Sequence, residues 1–180
     1  MCRGIQTIID KIRLPVVEVA GPSPSGYRVL KNLGLSIPKP TITNTTKEVT
    51  VYSPDDSPHT HAVDEIVDIR DMPYIDNSIG ILMCSYLPPT DYPSEQNPAR
   101  TAKEIEDEYQ EIIKGNKDPR ESPNLHISLL AAATRVLDAG GILILQGVHP
   151  EDTNVARKLE LMPLLAASDE KLIDSQIYLK

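Results

Sequence analysis

A chain of 180 residues, 40% of them hydrophobic, is long enough for one ordinary domain with one core. It contains neither Trp nor Phe, so Ile, Leu, Val, Ala and seven Tyr must fill that core. A formal net charge of -8 with no Lys/Arg cluster argues against nucleic acid or an anionic membrane surface as a direct partner.

Ile5, Ile8, Ile9 and Ile12 recur at one-face helical spacing, predicting a short amphipathic helix that Leu14-Pro15 ends. This segment lacks a signal-peptide apolar region, and no apolar stretch is long enough to span a bilayer. Cys2 and Cys84 form no ligand motif. The expectation is a reduced, cytoplasmic protein with Cys84 as a buried thiol.

Val16-Val-Glu-Val-Ala20 reads as a buried strand, followed by the loop Gly21-Pro-Ser-Pro-Ser-Gly26 and a helix over 27–33 that Gly34 stops. Strand, glycine-bearing loop and helix in that order open a βαβ unit. Thr41-Ile-Thr-Asn44 is a second strand. Residues 47–62 are ambiguous: Val49, Val51 and Tyr52 suggest extended chain, and Ser53-Pro-Asp-Asp-Ser-Pro58 a turn. A third strand is expected over 63–67.

Residues 79–85 are apolar on both faces, as in a central parallel strand covered by helices. The polar stretch 88–124 contains one clear helix: Ile105, Tyr109, Ile112 and Ile113 form its apolar face and Gly115 ends it. This segment is expected to be either a cover over the site or a surface decoration. A helix over 125–137 carries Leu129, Leu130, Ala133, Val136 and Leu137 on one face, with Asn124 as its cap and Gly140-Gly141 as its stop. A fifth strand (142–146), a short helix (154–159) and two strands (162–165 and 175–179) follow. Alternating strands and helices indicate one α/β domain over residues 1–180, with an inserted helical segment at about 88–124 and a closing antiparallel hairpin.

Three segments resemble class I S-adenosylmethionine-dependent methyltransferases, especially the small-molecule branch called type 11. The first is Asp68-Ile-Arg-Asp-Met-Pro-Tyr-Ile-Asp-Asn-Ser-Ile-Gly-Ile-Leu-Met-Cys-Ser85, where the family has an acid, Leu-Pro-Phe, a short Asp-Asn-Ser turn and the fourth strand. The second is Arg135-Val-Leu-Asp-Ala-Gly-Gly-Ile-Leu-Ile-Leu145, similar to the family's Arg-Val-Leu-Lys-Pro-Gly-Gly run. The third is Glu18-Val-Ala-Gly-Pro-Ser-Pro-Ser-Gly26, standing for an acid followed by three alternating glycines.

The resemblance implies a Rossmann-like three-layer sandwich with a mostly parallel seven-stranded sheet. It implies S-adenosyl-L-methionine as cofactor and a small-molecule acceptor. It places Glu18, Ala20, Gly21 and Gly26 around the methionine part, Asn44 at the ribose, and Asp68 with the Ile69 backbone at the adenine. Ser85 ends the fourth strand beside them. The chain departs from the family at Pro22 and Pro24, which lack N–H donors, at Asn44, where an acid is usual, and at Gly80, where Asp is usual. The glycine at 80 is expected either to loosen the strand's start or to remove a site carboxylate.

No catalytic residue is identified, since methyl transfer needs positioning more than a dedicated base. His149, just after the fifth strand, is the histidine best placed to act as one, with a surface-loop role as the simpler reading. His59-Thr-His61 lacks a third ligand, so no metal is expected. Tyr27 and Tyr86 follow binding loops and are either pocket or packing residues; Asp71 and Asp76 read as solvated loop acids. Two competitors remain: a methyltransferase-like binding or scaffold protein without turnover, and a nicotinamide-dependent oxidoreductase. The second lacks a Gly-X-Gly-X-X-Gly turn and a ribose acid.

Overall fold

A computed structural model describes residues 2–22, 28–52, 57–84, 101–146, 152–165 and 175–180. The strands are β1 (Val16–Val19), β2 (Thr41–Asn44), β3 (Glu48–Tyr52), β4 (Pro58–Ala62), β5 (Glu65–Ile66), β6 (Ile79–Cys84), β7 (Leu137–Gln146), β8 (Met162–Leu165) and β9 (Ser175–Leu179). The α-helices are α1 (Cys2–Ile9), α2 (Arg28–Leu33), α3 (Ala102–Lys114), α4 (Leu125–Val136) and α5 (Asp152–Lys158).

Seven strands form one sheet in the order β5-β2-β1-β6-β7-β9-β8. The first five are mutually parallel, and β9 runs antiparallel to both β7 and β8. This is the Rossmann-like sheet with a closing antiparallel hairpin. Side-chain alternation divides the core into two layers. Val17, Val19, Leu82, Cys84, Leu143, Leu145 and Tyr178 face α3, α4 and α5. Val16, Ile81, Met83, Ile142, Ile144 and Ile177 face α1 and α2. The absence of Phe and Trp is met on the first side by Tyr109 and Tyr178, both fully buried.

Several helix ends follow the expected chemistry. Asn124 Oδ1 accepts from the backbone N–H groups of His126 (2.9 Å) and Ile127 (3.2 Å). Gly34 (φ 63°) and Gly115 (φ 86°) take the left-handed conformation after α2 and α3. The start of α3 is a capping box between Thr101 and Glu104, a helix-start signal that the Thr-x-x-Glu spacing carries in the sequence.

Three expectations need correction. The ambiguous 47–62 region is an antiparallel hairpin, β3–β4, outside the main sheet, with Val49 opposite His61 and Val51 opposite His59. The third strand pairs over two residues only: ahead of it the Ile42 N–H goes to the Asp64 carboxylate at 2.8 Å and the Val63 N–H to the Lys47 carbonyl at 3.0 Å, and the Val67 N–H to the Asn44 carbonyl is its last rung. Gly140-Gly141 does not stop α4. The helix ends at Val136 and Leu137 is already extended. The two glycines lie inside β7, where the register slips from Ile79↔Leu137 to Ile81↔Ile142. Gly140 has φ 83°, and a Cβ on Gly141 would stand 2.9 Å from the Asp138 carbonyl and 3.1 Å from that of Gly80.

Candidate cofactor site at the carboxyl edge of the sheet

The strand order reverses between β1 and β6, whose connections leave in opposite directions. Open α/β sheets bind ligands at such a reversal, outside the carboxyl ends of the strands. Glu18 sits there, in β1, between Ile42 of β2 and Met83 of β6, and is fully buried. The backbone then folds back over it. A Cβ on Gly21 would stand 2.8 Å from both Cγ and Cδ of Glu18, so only glycine allows the chain to lie on that carboxylate.

The turn is stitched to β2. Gly21 N–H donates to the Thr43 carbonyl at 3.0 Å, and Asn44 Nδ2 donates to the Gly21 carbonyl at 2.7 Å. The Thr43 hydroxyl donates to the Glu18 carbonyl at 3.1 Å. Ala20 is left in the left-handed region at φ 54°, where glycine would sit without strain. Such a residue costs on the order of 1 kcal/mol and persists only where its surroundings hold it.

Asn44 thus has a definite structural role. Its amide holds the β1 turn, and its Oδ1 accepts the Thr45 N–H at 2.8 Å. Asp68 lies just beyond β5 and caps the 3-10 turn Ile69–Asp71 through the Arg70 N–H. Its carboxylate also takes both ends of the Arg70 guanidinium, at 2.9 and 2.5 Å. The Arg70 side chain beside it holds the Asp68 carboxyl below the usual carboxylate range. Ile69 is buried in the core beneath that turn.

The loop after the turn is fixed from α4. Arg135 donates to the carbonyls of Met72 (2.6 Å) and Tyr74 (2.7 Å) and to Asp76 Oδ1 (3.1 Å). Asp76 is therefore an ion-pair partner as well as an exposed loop acid. The Tyr74 hydroxyl donates to Glu65 at 2.9 Å, and burial with that acidic neighbour pushes its phenol well up.

A second polar cluster, unforeseen in the sequence, lies on the α3–α5 side. Asp152 opens α5 and is fully buried. Tyr109 of α3 donates its hydroxyl to Asp152 Oδ1 at 2.7 Å, and His126 Nδ1 of α4 lies 3.0 Å from Oδ2. Both partners are themselves buried. The sequence did hold a clue. His126 shares a helical face with Leu129, Leu130 and Ala133, and a polar ring on an apolar face needs a polar partner.

Gly80 is at the amino end of β6, opposite the site, where a Cβ would meet Ile12 Cγ2 at 2.3 Å. Its lack of a carboxylate therefore takes nothing from the carboxyl edge; its role is close packing under the Ile12–Leu14 connection between α1 and β1. Gly26, Ser85, Tyr27, Tyr86 and His149 lie outside the described residues. His59 and His61 are exposed on β4. Among the described residues, no three His, Cys, Asp or Glu side chains are grouped to hold a metal ion, and no helix is long and apolar enough to cross a membrane.

No family model matches the chain, and none of the curated proteins matches it. Similar solved structures include a geranyl diphosphate methyltransferase in complex with GPP and sinefungin, 12% identical over 91% of this chain and 60% of that one, with a TM-score of 0.40. A Haloferax volcanii protein described as a methyltransferase, solved with a methyltransferase activator, is 11% identical over 97% of this chain and 86% of that one, with a TM-score of 0.43. A TehB-like S-adenosylmethionine-dependent methyltransferase from Corynebacterium glutamicum is 11% identical over 98% and 87%, with a TM-score of 0.38. The chain spans 60% of the length of the first of these. At these identities and scores the fold assignment rests on the strand order of the chain itself, a Rossmann-like α/β sandwich of three layers.

Proposed function

We propose that the chain transfers a methyl group from S-adenosylmethionine to a small-molecule acceptor. The observation that carries this reading is the buried Glu18 under a glycine-only turn, at the point where the strand order reverses. The side chains present suit such a cofactor. A buried acid underlies the turn, a backbone packed too closely for any Cβ covers it, and a carboxylate held in its ionised form stands beyond β5.

In this reading Glu18, Ala20 and Gly21 would hold the methionine part, joined by Gly26. Asn44 would accept from the ribose through Oδ1, displacing the long 3.4 Å bond from the Thr45 hydroxyl. Asp68 and the Ile69 backbone would receive the adenine, and Ser85 would border the transferred group. The cofactor supplies a methyl group already activated on a sulfonium. The protein's part is to align a nucleophile in line with that methyl and to keep water out.

Calorimetric titration with S-adenosylmethionine and S-adenosylhomocysteine, with NAD as control, tests the reading. Saturable heat with the first two and none with NAD is expected. No heat and no thermal shift at millimolar ligand refutes it.

A second reading is a methyltransferase-like binding protein without turnover. It is favoured by the polar groups already committed inside the protein: the Asn44 amide to Gly21 and the Asp68 carboxylate to Arg70. Both readings predict ligand binding, and methyl transfer to any acceptor eliminates the second.

A further inference from the structure

The connection from β2 to its parallel neighbour β5 is the β3–β4 ribbon rather than a helix. The ribbon is paired without a break from Glu48↔Ala62 to Tyr52↔Pro58 and stands outside the seven-stranded sheet. Every residue of β4 is exposed. Directly opposed residues of an antiparallel pair share a face, and successive residues alternate between faces. One face therefore carries Val49, Val51, His59 and His61. On the other the hydroxyls of Thr50 and Thr60 meet at 3.1 Å, and Glu48 belongs to that side as well. Two imidazoles thus stand side by side, with valines opposite them and the acid of the ribbon turned away. His59 Nε2 meets the Ser57 hydroxyl at 3.2 Å, and among the described residues His61 has no hydrogen-bond partner.

The spacing suits a shared metal ion. Two residues along an antiparallel strand advance about 6.7 Å. Two nitrogens at about 2.0–2.1 Å from a tetrahedral zinc are roughly 3.4 Å apart. Each ring has to lean toward the other by about 1.7 Å, for which the small valines opposite leave room. The exposed contact from Ser57 gives way where the metal takes Nε2 of His59. Two donors fill half of a structural zinc site, which is closed by four ligands. Among the described residues no third His, Cys, Asp or Glu is grouped with the pair. A two-fold axis through the ion supplies the missing half, because it brings the same two imidazoles from a second copy. Charge favours the same arrangement. Each chain has a formal net charge of -8, so two copies repel, and a divalent cation between their ribbons opposes that repulsion.

We propose that His59 and His61 form half of a zinc site that two copies of the chain close, face to face, through their β3–β4 ribbons. Four imidazoles leave the ion no open position, so its role is to join the copies and not to activate water. Imidazole also suits copper and nickel, but zinc imposes no planar geometry and accepts the tetrahedral set that a two-fold axis creates. The site is incomplete in either copy alone. It is independent of the methyltransferase reading above.

The test uses the full chain stripped of metal with a chelator, with zinc and cobalt(II) as probes and light scattering after gel filtration as the readout. The stripped chain should be a monomer. One metal ion per two chains should double the mass, and chelator should reverse the change. Cobalt should show the intense visible bands of a four-coordinate ion. His59→Ala and His61→Ala should each abolish the mass doubling, and since both side chains are exposed, circular dichroism should stay native. His149→Ala should leave the doubling intact, which separates the pair from the histidine elsewhere in the chain. A dimer that persists in chelator, a dimer that survives both substitutions in β4, or loss of the dimer in His149→Ala would each overturn the proposal. So would a monomer that binds one ion, which marks an exposed chelate only, or no uptake at metal equal to the chain concentration.

Discussion

Gly21→Ala probes the buried acid directly. The new Cβ would lie 2.8 Å from Cγ and Cδ of Glu18 and 3.1 Å from Oε2. Carbon atoms at optimal contact are about 3.5–4.0 Å apart, so two pairs overlap by roughly 0.7 Å or more. Glu18 has no room to retreat: it is fully buried and its backbone is held by strands on both sides. Overpacking of this kind costs about 1–3 kcal/mol. For a chain of this length the melting temperature falls by about 2–4 °C per kcal/mol. Glu18→Ala removes both clashing carbons. In that background Gly21→Ala should cost less than about 0.5 kcal/mol, and the reduced freedom of the unfolded chain offsets even that. A double-mutant cycle by urea unfolding should therefore give a coupling of at least about 1 kcal/mol between the two positions. Equal costs of Gly21→Ala in both backgrounds would show that the turn does not rest on the carboxylate.

Three further outcomes follow from the geometry. Glu160 (φ 63°) occupies the left-handed position after α5, with Leu161 N–H returning to Ala156 and Glu160 N–H to Arg157, so Glu160→Gly should stabilise the protein by about 0.5–1 kcal/mol in thermal unfolding. The Asp68 carboxyl is held below its ordinary value, so its stabilising contribution is complete above the unfolded value near about 4 and is lost as pH falls through the folded value. With the pair partly exposed, wild type should exceed Asp68→Asn by only about 0.2–1 kcal/mol from pH 5 to 7, and a gap that persists unchanged below pH 3 would contradict this. Finally, Ile105, Tyr109 and Ile112 are buried and Tyr109 is bonded into Asp152, so α3 amides should exchange slowly already in the ligand-free protein. Fast exchange that slows only on ligand binding would favour a moving cover over a surface decoration.

The fold was readable where apolar patterning was continuous. β2, β8 and β9 have the expected bounds residue for residue, β1 ends one residue early, and β6 starts where expected, with Ser85 outside the described residues. Failures occurred where tertiary contacts override local signals. Val63 and Val67 look like strand residues, yet β5 is only Glu65–Ile66, because ahead of it the Asp64 carboxylate takes the Ile42 N–H and the Val63 N–H turns to the Lys47 carbonyl. Gly140-Gly141 looks like a helix stop, but a bulge against Gly80 is what requires it. In the candidate site the pairing of Glu18 with Gly21 was legible because a short loop keeps acid and glycine close in sequence. Asn44 was placed correctly at the end of β2, but its bond to Gly21 spans 23 residues and no single-sequence pattern encodes it. The same holds for Asp152, which is 26 residues from His126 and 43 from Tyr109.

The position of β9 has a consequence for how the chain is made. Synthesis delivers β8 before β9, yet in the sheet β9 lies between β7 and β8 and supplies the pairing of both. Until β9 leaves the ribosome, β8 lacks its strand partner and β7 presents an open side of apolar chain. Its closing contacts include Lys180 N–H to the Gly141 carbonyl and Lys180 Nζ to the Asn77 side chain, the latter 103 residues upstream. Such remote pairings form slowly, and an exposed strand edge invites pairing with another chain. A chain truncated just before residue 175 should therefore be sticky and bind chaperones, and restoring the five residues of β9 should abolish that binding.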